Sequence, residues 1–214
     1  MRRTLVCVII LFIIQDVLLF WAYSEHKKHF VNQPVKEVEM EVQFEPQINT
    51  IDLEMLEIVK TKMFQDLIKY NYINELKAYE IIKEIKKNSS IYNVKPEFLY
   101  AVLWRESRFR NDVEHKRVFV KALQKDVQAV GMGAIIWEFW GQDLKQNTSL
   151  KEKDDLNIWK KNIEATAYIL GYLKTKPKLK ERSLKESVTI RYYGKYAEYY
   201  TNSIIKKTSE VSGS

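Results

Sequence analysis

The sequence is poor in the residues that make turns and crosslinks, with six glycines, four prolines and one cysteine among 214 residues. So few turn-forming residues argue against a sandwich or barrel of many short strands. The single cysteine, Cys7, excludes a disulfide framework and a cysteine-rich zinc site. The histidines His26, His29 and His115 do not form a ligand cluster, since the first two fall in a polar N-terminal stretch. No metal or other cofactor is therefore expected.

The sequence contains enough apolar residues to form a hydrophobic core, since 46% of the residues are hydrophobic and 13% aromatic. This composition excludes disorder as a description of the whole chain and favours a mostly helical protein. Lysine and arginine number 35 against 28 acidic residues, which gives a net charge of +7. Charge alone does not choose between nucleic acid, a membrane surface and a cell wall as the partner.

The N-terminus carries an export segment. Two arginines precede an apolar stretch over residues 5–23 that is interrupted only by Gln15 and Asp16. As a helix these 19 residues would span about 29 Å, close to the hydrocarbon thickness of a bilayer. One interpretation is an uncleaved anchor in the inner membrane. The other is a signal peptide, cleaved after the small-x-small sequence Ala22-Tyr23-Ser24. Both place the rest of the chain in the periplasm or cell envelope.

Three segments follow from the pattern: a leader over residues 1–24, a polar linker over 25–50, and a helical domain over 51–210. An edge strand is the alternative for part of the linker, where charged and apolar residues alternate. In the domain, apolar residues recur at spacings of three and four, which is typical of amphipathic helices. The predicted helices cover residues 51–69, 73–88, 96–107, 155–174, 183–193 and 196–207.

The most informative residue lies near the end of the third predicted helix. Leu99, Val102 and Leu103 form an apolar stripe, and Glu106 occupies the next position on it. Burial and the negative end of the helix would both raise the pKa of this carboxyl group. A carboxylic acid that is still protonated near neutral pH can protonate a leaving group. The alternative is that Glu106 pairs with a neighbouring arginine and ends the helix at the surface.

The sequence around this glutamate resembles the first motif of the lysozyme-like lytic transglycosylases of the soluble-lytic-transglycosylase type. The approach over residues 92–99 leads a helix into Glu106-Ser107-Arg108-Phe109, as the family's Glu-Ser-x-Phe motif does. The resemblance implies that Glu106 is the catalytic acid and base and that Ser107 is a supporting polar contact beside it.

The family's second motif, Gly-Ala-x-Gly-Leu-Met-Gln, is similar to residues 128–134. The resemblance makes Gly131, Met132 and Gly133 substrate-binding positions, where the glycines would let the backbone approach a ligand closely. Ala134 stands in place of the family's sugar-binding glutamine. The alternative is that this segment is only the start of a helix.

The remaining two motifs are matched more loosely. Residues 162–170 resemble Asn-Ile-x-x-Gly-x-x-Tyr-Leu, with Thr166 at the glycine. Residues 191–194 resemble Ala-Tyr-Asn-x-Gly, although the asparagine is missing. From the resemblance, Tyr192 is predicted to reach Glu106, and Tyr193 is assigned to substrate binding beside it.

The resemblance, which covers residues 75–205, implies cleavage of peptidoglycan glycan strands between N-acetylmuramic acid and N-acetylglucosamine, with a 1,6-anhydro product. A hydrolytic lysozyme-type muramidase is the enzymatic alternative. It would use a second carboxylate, for which Asp112, Glu114, Asp126 and Glu138 are near in sequence. A glycan-binding module that does not cut is the third possibility. Nucleic acid is not an expected partner, because an export signal leads the chain and no nucleic-acid motif appears. The sequence names no protein partner.

Overall fold

The structure, a computed structural model, describes residues 50–213 apart from residues 71, 122, 180, 181, 195 and 196. The predicted leader, and the predicted linker up to residue 49, lie outside the described residues. No helix within the described part of the chain is both long enough and apolar enough to cross a bilayer.

The described chain is mainly helical, which confirms the predicted fold class. Its elements in chain order are α1 (Thr50–Val59), α2 (Lys62–Leu67), α3 (Glu75–Ile91), α4 (Pro96–Ser107), β1 (Arg117–Val120), β2 (Lys125–Gln128), α5 (Trp137–Asn147), a 3₁₀ helix (Lys153–Asn157), α6 (Trp159–Lys174), α7 (Leu184–Tyr193) and α8 (Glu198–Val211).

The structure differs from the expected pattern at several points, among them α5, which was not among the predicted helices. The predicted helix over 51–69 is two helices, because Thr61 has extended backbone and its hydroxyl accepts from the Phe64 amide at 3.2 Å, which starts α2. The antiparallel hairpin of β1 and β2, paired from Arg117 with Gln128, was not predicted. Its strands have four residues each and are largely exposed, with Phe119 62% accessible, so they carry almost no burial alternation.

Helix α4 is the centre of the domain. Its residues 99–103 are fully buried, and it packs against α3, α6 and α8. Five successive apolar or aromatic residues produce this burial, since a helix that is hydrophobic on all sides is surrounded by other elements. Pro96 occupies the first turn, and the left-handed backbone of Arg108 ends the helix directly after Ser107. Glu106 is therefore held in the last turn of the most buried helix.

A buried polar network fixes α8 against α4. The Tyr100 hydroxyl donates to Asp66 at 2.8 Å, and Lys207 from α8 donates to both Asp66 carboxylate oxygens at 3.1 Å. Lys207 is only 8% exposed, so its charge needs this partner. The network sets the position of α8, which carries the tyrosine that contacts Glu106.

Candidate functional site

Glu106 lies in a partly buried position at the end of α4, and one of its carboxylate oxygens accepts a hydrogen bond from the Tyr200 hydroxyl. Burial raises the pKa of Glu106 to about 7, while the Tyr200 hydrogen bond and the positive charge of Arg105 act in the opposite direction. No ion pair joins Glu106 to an arginine or lysine of the described chain. The carboxyl group is thus placed to exist in both protonation states near neutral pH.

The tyrosine that contacts Glu106 is Tyr200, not Tyr192 as expected from the fourth motif. The Tyr192 hydroxyl donates instead to the backbone carbonyl of Gly133 at 2.5 Å. Tyr192 remains close, since burial and the negative charge of Glu106 both raise its pKa. Five tyrosines lie within residues 192–200, and the sequence holds no signal that selects one of them. The choice depends on how α8 docks on α4.

The second-motif segment is held by Asn162 of α6, which is fully buried. Its side-chain oxygen accepts from the Gly133 amide at 2.7 Å, and its side-chain nitrogen donates to the carbonyls of Val130 at 3.1 Å and Leu156 at 2.9 Å. A Cβ atom added at Gly131 would lie 2.0 Å from that nitrogen, and Gly131 has a φ of +72°. The glycine is required for close approach of a protein side chain.

Gly133 also stands where a side chain of another helix leaves no room for a Cβ atom. A Cβ atom there would lie 2.0 Å from the Thr166 hydroxyl oxygen and 3.1 Å from that of Tyr192. Thr166 stands where the family's third motif has glycine, so this chain has filled the space facing Gly133 with a side chain. Both glycines therefore allow side chains of α6 and α7 to approach the backbone of this segment closely.

The side chains of Ser107 and Met132, two of the residues that the motifs point to, are buried. Ser107 is 3% exposed and its hydroxyl donates to the Leu103 carbonyl at 3.2 Å within α4. Met132 is 2% exposed and belongs to the hydrophobic core.

A cavity of about 320 Å³ lies beside the tyrosines. Its lining includes Tyr192 and Tyr193, and Tyr193 stacks on Tyr200 with ring centroids 4.2 Å apart. Glu106 does not line this cavity, but Tyr193 connects the two, because it stacks on Tyr200 and Tyr200 donates its hydroxyl hydrogen bond to Glu106. The other lining residues that bear on a ligand are Ala134, Ile136, Phe139, Trp140 and Arg191.

Glu138 is one of the four carboxylates that a two-acid mechanism could use as the second acid. Glu138, in the first turn of α5, forms an ion pair with Lys153 at 3.1 Å. Although burial opposes the charged form, the backbone hydrogen bond and Lys153 keep its pKa below the ordinary value. Glu138 is therefore ionised at neutral pH, and its closest charged partner is a lysine.

A mainly helical domain whose central helix ends in a partly buried glutamate is of the lysozyme-like class. Residues 83–185 match the family model of the transglycosylase SLT domain. The predicted family resemblance is confirmed over these residues, so the chain carries a domain of this family. Domains of this family act on the glycan strands of peptidoglycan. No curated protein and no solved structure matches the chain significantly.

Proposed function

We propose that the protein is a lytic transglycosylase that cuts the bond between N-acetylmuramic acid and N-acetylglucosamine with Glu106 as its single acid and base. The observation that carries the proposal is the carboxyl group of Glu106, which ends the central helix with a pKa of about 7 and a hydrogen bond from Tyr200. A group that loses and regains one proton near neutral pH suits both halves of this reaction.

In the first half, protonated Glu106 donates its proton to the glycosidic oxygen, and the bond from that oxygen to the anomeric carbon of N-acetylmuramic acid breaks. In the second half, the Glu106 carboxylate takes the proton of the C6 hydroxyl of the same sugar as its oxygen bonds to the anomeric carbon. The product is a 1,6-anhydro ring, and the acid is restored. No water is consumed, so a second carboxylate to activate water is not needed.

The proposal also includes a location in the cell envelope. The substrate lies outside the inner membrane, and the apolar stretch over residues 5–23 follows two arginines, as an export segment does. We place the domain on the periplasmic side, held at the membrane if the leader is retained. The net charge of +7 would favour its association with an acidic envelope.

The product decides between this function and its alternatives. The purified full chain is incubated with peptidoglycan, and the released fragments are separated and weighed by mass spectrometry. We expect muropeptides with anhydro ends, one water lighter than the reducing forms. Reducing ends alone would identify a hydrolase, and no release from any wall preparation would leave only a glycan-binding module.

The pH dependence of the reaction tests the contact between Tyr200 and Glu106. Because the acid form of Glu106 starts the reaction, kcat/KM should fall as pH rises through about 7. The Tyr200 hydrogen bond lowers the pKa of Glu106, so Tyr200→Phe should move this alkaline limb to higher pH. The measurement is a pH profile of fragment release.

Tyr199→Phe is the matched control, since Tyr199 is the neighbouring tyrosine on α8 and is 77% exposed. Its ring, over which the Arg105 guanidinium lies at 5.0 Å, is kept in the variant. The Tyr199→Phe profile should coincide with that of the wild type. An alkaline limb that Tyr200→Phe leaves in place, or moves to lower pH, would contradict the assignment.

A further inference from the structure

Three departures from the family motifs meet in the cavity of about 320 Å³. Ala134 replaces the glutamine of the second motif. When Tyr192 is set on the tyrosine of the fourth motif, Arg191 stands at the alanine and Tyr193 at the asparagine. All three residues line the cavity. The chain has thus lost two neutral amide groups there and gained a guanidinium group and an aromatic ring.

The guanidinium group of Arg191 has no partner within the described chain. Its Nη1 atom is buried without a hydrogen bond, and no carboxylate of the described residues forms an ion pair with it. A partly buried cation without a counter-charge is costly, and a buried unsatisfied donor calls for an explanation. An anionic group of a ligand that meets the part of the guanidinium group lining the cavity would supply the missing counter-charge.

The rest of the lining indicates what carries that anion. Phe139 is 48% exposed and Tyr193 42% exposed, so their rings are accessible, and Trp140, which follows Phe139 in sequence, also lines the cavity. Aromatic faces of this kind pack on the apolar face of a sugar ring, and the cavity is at the lower end of the about 300–1,000 Å³ typical of ligand sites. The ligand that fits is one sugar ring with an acidic substituent.

On a peptidoglycan strand the carboxylate nearest to a sugar ring is that of the lactyl ether on N-acetylmuramic acid. Where a stem peptide is attached, this carboxyl group is an amide and has no charge. It is an anion only where the stem peptide has been removed. A planar guanidinium group is the side chain best suited to bind such a carboxylate through two hydrogen bonds.

We propose that Arg191 binds the free lactyl carboxylate of a muramic acid residue, so that the domain prefers glycan strands from which the stem peptides have been removed. This inference rests on the proposed function, because it takes the cavity as part of the glycan site. Tyr193 supports that connection, since it lines the cavity and stacks on Tyr200, whose hydroxyl donates to Glu106.

The experiment compares two substrates that differ in this charge alone. Strands stripped of peptides by an amidase are used as they are, or after their lactyl carboxylates have been converted to methylamides. For the full wild-type chain we expect KM to be roughly tenfold lower on the charged strands, as a charge-assisted hydrogen bond would give. Arg191→Gln should bring the ratio of the two KM values close to one, and Arg191→Lys should retain part of it.

Lys185→Gln is the control, because it removes one positive charge from the same helix, α7, at an exposed position outside this cavity. Its KM ratio should equal that of the wild type. A wild-type ratio near one, a lower KM on the methylamide strands, or equal loss of the ratio in Lys185→Gln would each overturn the proposal. Circular dichroism of each variant verifies that it is folded.

Binding measured without cleavage separates this inference from the proposed function. In the Glu106→Gln background, calorimetry with the charged and the amidated strands should show the same dependence on Arg191. If the wild type cuts no strand but binding still depends on Arg191 and on the carboxylate, the proposed function fails and the inference holds. If the wild type cuts both substrates with equal KM, the inference fails and the proposed function holds.

Discussion

Glu106→Gln is expected to lower the rate of anhydromuropeptide release by roughly a hundredfold to ten-thousandfold, the range that a general acid contributes. Glutamine has nearly the same shape, and its amide oxygen can still accept the hydrogen bond that Tyr200 donates to Glu106. It holds no proton that it can transfer to the glycosidic oxygen. The fold should be preserved, since the variant removes a group that burial disfavours in its charged form. Release is measured by chromatography of the fragments.

The control for this variant is Glu97→Gln, which makes the same change in the first turn of the same helix, α4. Its release rate should stay near that of the wild type, and both variants should unfold at temperatures close to the wild-type value. If Glu106→Gln keeps most of its activity while folded, another residue supplies the proton and the assignment of Glu106 is wrong.

Asn162→Ala is expected to lower the free energy of unfolding by about 3 kcal/mol or more, as measured by urea denaturation. Asn162 is fully buried and holds Gly133, Val130 and Leu156 through three hydrogen bonds. Its removal leaves the buried amide of Gly133 without its acceptor and opens a cavity between α6 and the second-motif segment. For a domain of this size the melting temperature should fall by roughly 6–12 °C.

Asn202→Ala serves as the comparison, because Asn202 is exposed on α8. Its free energy of unfolding in the same urea titration should be unchanged within about 0.5 kcal/mol. An Asn162→Ala variant as stable as Asn202→Ala would show that the hydrogen bonds of Asn162 do not hold the segment. The glycine positions would then need another explanation.

The sequence by itself determined the helical class, most helix positions and the place of Glu106. Apolar spacing within one helix is a local property, and the run from Leu99 to Leu103 needs no partner to be recognised as buried. Because Glu106 continues that stripe, its partial burial followed from the same periodicity. The hairpin escaped prediction because its short, exposed strands lack such a pattern.

Only the tertiary structure decided which side chains meet. Tyr200 contacts Glu106 because the Asp66 and Lys207 ion pair sets how α8 lies on α4, an interaction between residues 141 positions apart. At Gly131 and Gly133, which the motifs suggested for ligand binding, side chains of α6 come so close that a Cβ atom would collide with them. The guanidinium group of Arg191, which has no partner among the described residues, is likewise invisible in the sequence, because whether a partner is present depends on every element packed around it. The spacing of apolar residues determines on which face of its own helix a residue lies. Contacts between helices depend on packing, which no local pattern encodes.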